Sequence, residues 1–252
     1  MTKIAIVAAL EREVAPLVRG WASTKSQHEG RAFTFYENEY AVVVCGGIGP
    51  EAARRAAEAI IVRYSPEIVT SAGIAGALVP ELHVGETIFP ATVIDTQDGS
   101  HHETAIKNAP VANTPLGRTI LASHPVIVGD EQKQQLAKSY GAQAVDMEAA
   151  AVAKAAQSHG LRFIAIKSIS DEHDFAMPDM SPFVRDGSFQ TKRFVFHMAL
   201  RPWSWLSVYR LARNTRIASE NLCAWLRESA LTNTIVAGIS RGEDARASAT
   251  KD

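Results

Sequence analysis

Cysteine is nearly absent: Cys45 and Cys223 are the only two in 252 residues. They lie far apart, with no partner at metal-ligand spacing, so a disulfide framework or a zinc site is not expected. Long hydrophobic runs are missing too. Nothing approaches the roughly 18 uninterrupted apolar residues that would span a bilayer. The short run "IAIVAAL" near the start is followed at once by Glu11, Arg12 and Glu13 with no small-residue cleavage site between. No signal peptide is therefore expected, and the cytoplasm is the default location. Excess charge is absent as well: 26 Lys and Arg against 27 Asp and Glu leave a formal net charge of -1. Whole-molecule charge thus gives no argument for nucleic acid or any strongly charged partner. No internal repeat is found.

What is present is the profile of a globular chain with a sizeable core, 46% hydrophobic, 21% charged and 7% aromatic, and one domain is the favoured count. Apolar, β-rich runs at 3–10, 39–47, 67–76, 86–95 and 163–171 are predicted strands. Between them, 50–64 and 147–160 carry helical periodicity, the second stopping at His159 and Gly160. Strands that read as continuous apolar runs are buried on both faces, so the predicted fold is α/β, a three-layer α/β/α sandwich around a central mixed, twisted sheet. The expected division is a core over 1–181, a C-terminal helical extension of the same domain over 182–235, and a flexible tail over 236–252.

The stretch "AVDMEAAAV", 144–152, sets two acids in an alanine-rich surround where an ordinary buried helix has no reason to carry them. In open α/β sheets ligands gather outside the carboxyl ends of the strands. Three acids fall there: Glu13 just after the first strand, Glu148 opening the alanine-rich helix, and Asp171 closing "FIAIKSISD". A carboxylate at a helix N-terminus has a purely structural use as well, about 0.3–1 kcal/mol against the dipole. It is the joint placement of three that points to chemistry. "CGGIGPEAA", 45–53, and "SAGIAG", 71–76, are either ligand loops or plain tight turns. "SHHE", 100–103, reads as a solvated loop, because adjacent side chains rarely converge on one metal.

"KIAIVAALEREVAPL", "VVVCGGIGPEAARRAA", "VTSAGIAGALVPELHVGE", "AVDMEAAAVA" and "IKSISDEHD", in this order over roughly residues 3–175, resemble the nucleoside phosphorylase and nucleosidase superfamily, most closely its methylthioadenosine/S-adenosylhomocysteine nucleosidase branch. The resemblance implies cleavage of an N-glycosidic bond, with release of adenine from a 5′-substituted adenosine. Asp171 then corresponds to the acid at purine N7, with Ser170 beside it. Glu148 corresponds to the acceptor of the ribose 2′ and 3′ hydroxyls, Met147 packs on the sugar, and Glu13 activates water. Asp146 has no such role and is expected to be structural. Gly76, Ile74 and Lys167 fall on binding positions, with two departures. Ile74 replaces a hydroxyl residue that could position water or phosphate, and Lys167 replaces an arginine, keeping charge but losing the bidentate fork. Between His124 and Met147 the only aromatic is Tyr140, where the branch has a phenylalanine against adenine.

The resemblance implies no metal and no cofactor, water or phosphate as co-substrate, and a homo-oligomer. The alternatives are a phosphate-dependent purine nucleoside phosphorylase and a nucleoside-binding regulatory protein. Residues 193–228 hold Trp203, Trp205 and Trp225, and from Lys192 to Arg216 six bases occur without an acid. Such interleaving suits peripheral contact with an anionic membrane, against the plainer reading of a subunit interface or a helix that closes the site. The "RPW" and "RLARNTR" of this segment are similar to those of the hopanoid-associated phosphorylase-like branch, which implies a large apolar 5′ substituent such as that of adenosylhopane.

Overall fold

The computed structural model describes residues 4–106, 119–177, 181–185, 188–190 and 205–232. The expected tail, 236–252, and the "RPW" segment with Trp203 lie outside the described residues.

Four buried apolar runs build the centre of one eleven-stranded mixed sheet. They are β1 (Ile4–Ala8), β4 (Ala41–Cys45), β5 (Ile68–Ala77) and β11 (Arg162–Asp171). β1 lies parallel between β4 and β5, and β11 runs parallel along the other side of β5. An edge hairpin, β2 (Ala22–His28) and β3 (Arg31–Glu37), extends the sheet beyond β4. At the opposite end β10 (Ala144–Asp146), β9 (Ile120–Ser123) and β7 (Thr92–Asp95) pair in parallel, and β8 (His101–Glu103) closes that edge against β7.

Helices cover both faces. α2 (Pro50–Tyr64) and α4 (Ala149–Ser158) pack their alanines and Ile60 on one face. On the other, Val14 and Leu17 of α1 (Glu11–Val18) meet Leu222, Cys223 and Leu226 of the long C-terminal helix α5 (Trp205–Thr232) over Ile164 and Ile166. α3 (Asp130–Tyr140) caps the β9–β10 end, with Leu136 against Leu78 and Ala122. The expected sandwich is therefore the observed one.

Two expectations change. The run predicted over 86–95 is two strands, β6 (Thr87–Ile88) and β7, broken at Pro90, which has no N–H for a ladder. "SHHE" is not a solvated loop. His102 faces inward on β8, with Nδ1 2.9 Å from Gln157 Oε1 and Nε2 3.0 Å from Ser100 Oγ, while His101 and Glu103 face out. The alternation of a strand splits the neighbouring histidines to opposite faces.

β5 forks the sheet and so makes room for a site. Its first half is held by β1 through Ser71, but its last residues, Gly76 and Ala77, pair antiparallel with β10. A cleft opens between the carboxyl ends of β1 and β10, with β5 as its floor.

Candidate active site

Each element delivers one acid to that fork. α1 begins straight after β1 and brings Glu13 back over the cleft. The end of β10 brings Asp146, and the turn after it brings Met147 and Glu148. The end of β11 carries a bulge, so that Ile169 pairs with Ala75 but Asp171 with Gly76, and the extra residue, Ser170, re-aims Asp171. The cavity between these elements holds about 500 Å³, and Glu13, Ile74, Gly76, Met147, Glu148, Ser170 and Asp171 all line it. Of the anticipated site residues Lys167 alone is behind the wall.

Asp146 and Glu148 divide their work by direction. Asp146 Oδ2 accepts the Ala149 N–H at 2.9 Å and the Lys167 ammonium at 2.8 Å. It therefore satisfies a free donor at the start of α4 and holds a buried cation. Glu148 makes no capping bond; its Oε1 accepts the Gly49 N–H, 99 residues away in sequence, at 2.8 Å. The helix-capping alternative for Glu148 thus belongs to Asp146. Lys167 also donates to Ser71 Oγ at 3.0 Å and is completely buried.

Burial sets the acid–base character. Glu13 is pushed up to about 7, mainly by desolvation, with the charge of Lys167 opposing. Glu148 is also raised, first by burial and then by the Asp146 charge. Around neutral pH both sit between their forms, the condition for groups that pass or take protons.

Asp171 is held from two sides. Ser170 Oγ donates to its Oδ1 at 2.7 Å, and the Lys133 Nζ donates to its Oδ2 at 2.5 Å. A Cβ on Gly76 would lie 2.9 Å from that Oδ2, so only glycine leaves the carboxylate in place. Lys133 was not foreseen from the sequence. In "DEQKQQLAKSY" it reads as part of a solvated polar face; the available signal is a cation in the first turn of a helix, where the dipole disfavours it.

Tyr140 does not enter the cavity but packs at the end of α3 against the Leu136 cluster. The cavity wall has aliphatic Val126, Ile127 and Val128 instead. Another wall comes from α5, through Val208, Leu211 and Ala212 and, further along the helix, the polar Thr215, Arg216, Ser219 and Glu220. Trp225 is not part of this surface; its ring packs on Phe89 at 4.5 Å between centroids. Among the described residues no group of three or more His, Cys, Asp and Glu could hold a metal ion.

A forked α/β sheet with three acids converging at its carboxyl edge defines an enzyme of acid–base chemistry. The chain belongs to the phosphorylase superfamily, whose family model matches residues 3–110 and 98–192. Among curated relatives, the 5′-methylthioadenosine/S-adenosylhomocysteine nucleosidase of Shewanella baltica is 28% identical over 198 residues, covering 67% of this chain and 84% of its own. The aminodeoxyfutalosine nucleosidase of Campylobacter jejuni is 24% identical over 225 residues, covering 79% and 98%. Of solved structures, the 5′-methylthioadenosine/S-adenosylhomocysteine nucleosidase of Neisseria meningitidis in complex with methylthio-immucillin-A superposes with a TM-score of 0.66 at 19% identity, over 96% of this chain and 100% of that one. These likenesses support the anticipated fold.

Proposed function

We propose that this protein is a nucleosidase that hydrolyses the N-glycosidic bond of a 5′-substituted adenosine and releases adenine. The observation that carries this reading is the convergence of Glu13, Glu148 and Asp171, from three separate parts of the chain, on one cavity. Asp171 faces the departing base and is the route by which it is protonated, since an unprotonated purine leaves as an anion. Glu148 accepts hydrogen bonds from the ribose diol, and Met147 packs beside the sugar. Glu13, raised to about 7, takes a proton from the water that attacks C1′. Buried acids at the sugar oppose a bound phosphate, which favours water over phosphorolysis.

The 5′ substituent proposed here is large and apolar. The N-terminal part of the α5 wall supports this, with Val208, Leu211 and Ala212 lining the cavity ahead of the polar Thr215, Arg216, Ser219 and Glu220, and with Trp205, Leu206 and Tyr209 exposed at 56%, 61% and 67% on the same helix. A lipid-linked adenosine, such as adenosylhopane, fits that wall, and the exposed residues would meet the membrane surface that presents it. Among the described residues no helix is long and apolar enough to cross a membrane, so the proposed contact is peripheral. Self-association into a homo-oligomer is part of the same proposal and is checked by light scattering.

The test is adenine release from a series of adenosines with 5′ substituents of increasing apolar size. The reading expects release from the series and a kcat/KM that rises with substituent size. Absence of release from every member would overturn it, and preference for the smallest would remove the lipid-linked substrate.

A further inference from the structure

Lys133 is buried, 1% exposed, in the first turn of α3. Its ammonium donates to Asp171 Oδ2 at 2.5 Å and to the Glu172 carbonyl at 2.8 Å, and it lines the cavity together with Asp171. Burying an ammonium costs several kcal/mol, and its place at the positive end of a helix adds to that. A lysine serving only to tie α3 to β11 needs neither the cavity nor the one acid that faces the base. Ser170 already supplies Asp171 with a neutral donor on its other oxygen.

We propose that Lys133 is the proton source for the departing base, with Asp171 as the relay. The proposal rests on the nucleosidase reading and adds a residue to it. In the resting site the pair is ammonium and carboxylate, so Asp171 has no proton of its own to give. As the C1′–N9 bond breaks, its electron pair passes to the base. An N–H bond of Lys133 breaks and its proton moves to the Asp171 carboxylate, while the carboxyl proton forms the new N–H bond on the purine. The products are neutral base, a neutral amine at Lys133 and an unchanged carboxylate at Asp171. Solvent returns a proton to the amine after the base has left. Lys133 acts through Asp171 and is in that sense a positioning and proton-supplying residue.

The experiment compares leaving groups. Lys133→Ala, and Lys133→Gln, which keeps a donor for Asp171 but no acidic proton, are assayed on a 5′-substituted adenosine. Each is also assayed on the p-nitrophenyl riboside with the same 5′ group, whose leaving group departs unprotonated. Folding is checked by circular dichroism. Base release is expected to fall roughly 100-fold or more in both variants, as for loss of a general acid, and nitrophenolate release to fall far less. Small primary ammonium ions are expected to restore base release in Lys133→Ala, at rates that rise with the acidity of the amine, whereas tetramethylammonium restores none. Three results would overturn the proposal alone: undiminished base release in a folded variant, equal losses for both leaving groups, or rescue by tetramethylammonium. A wild type that releases base from no nucleoside overturns the nucleosidase reading, and this proposal with it.

Discussion

Asp146, in the cavity wall, and Lys167, behind it, form a buried ion pair at 2.8 Å, and the same carboxylate oxygen receives the first N–H of α4. The pair anchors the turn after β10 to β11, leaving Glu148, two residues on, free to face the cavity. Removing one partner of such a pair leaves an uncompensated buried charge, which costs about 3–5 kcal/mol. Asp146→Ala is therefore expected to lower the unfolding free energy by about that amount in a denaturant titration. A loss below about 1 kcal/mol would place Asp146 outside the structural role argued for it.

Gly76 and Asp171 are too close for a side chain between them. Gly76→Ala puts a methyl 2.9 Å from Asp171 Oδ2, against a carboxylate fixed by Lys133 and Ser170. The carboxylate must move, and base release is expected to drop by about 10- to 100-fold with little change in melting temperature, the scale on which misplacing a reacting group by an ångström acts. Unaltered turnover would mean that the position of Asp171 is not critical.

Much of this was legible in the sequence, for one physical reason. β1, β4, β5 and β11 are covered on both faces, so they appear as mainly apolar runs, broken only by Thr70 and Ser71 in β5 and by Arg162, Lys167, Ser168, Ser170 and Asp171 in β11, and the acids that end or follow such runs fall at the carboxyl edge. The β2–β3 hairpin is covered on one side only and reads as polar, "ASTKSQH", and its two-residue turn Glu29–Gly30, with φ of 47° and 74°, has glutamate where asparagine, aspartate or glycine would announce such a turn. Lys133 was not legible, because nothing local in α3 tells that its first turn lies against β11. Its role exists only in the tertiary structure.

Glu13 links stability to pH. Its carboxyl is raised from 4.5 to about 7 in the fold, so the folded state holds a proton that the unfolded state has lost. That contribution is complete below about pH 4.5 and disappears as pH rises through about 7, an effect on the order of 3 kcal/mol. Glu13→Gln is expected to flatten the pH dependence of unfolding between pH 5 and 8 and to be the more stable protein at pH 8. In the wild type, kcat/KM should fall on the acid side with a midpoint near 7, as the general base takes up a proton. Equal slopes of stability against pH in both proteins would contradict the burial argument.

Glu148→Ala removes the proposed diol acceptor and leaves the Gly49 N–H without its partner. It is expected to reduce kcat/KM for ribosides at least tenfold more than for the 2′-deoxy compounds, because ribosides lose both diol contacts and the 2′-deoxy compounds only that of the 3′ hydroxyl. Equal reductions would assign Glu148 to the Gly49 loop alone.

The exposed face of α5 is tested by Trp205→Ser combined with Tyr209→Ser. Both side chains are more than half exposed, and circular dichroism checks that the variant is folded. Co-sedimentation with anionic liposomes is expected in the wild type and lost in the variant. Failure of the wild type to bind would remove the membrane contact while leaving the nucleosidase reading intact.

The central claim is that water, activated by Glu13, attacks C1′ of a bound nucleoside. Turnover in ¹⁸O-labelled water with phosphate present, followed by mass spectrometry of the sugar, tests it directly. The account expects free 5′-substituted ribose carrying the label at C1, at a rate independent of phosphate and abolished in Glu13→Gln. Unlabelled ribose 1-phosphate, formed only when phosphate is added, would contradict it.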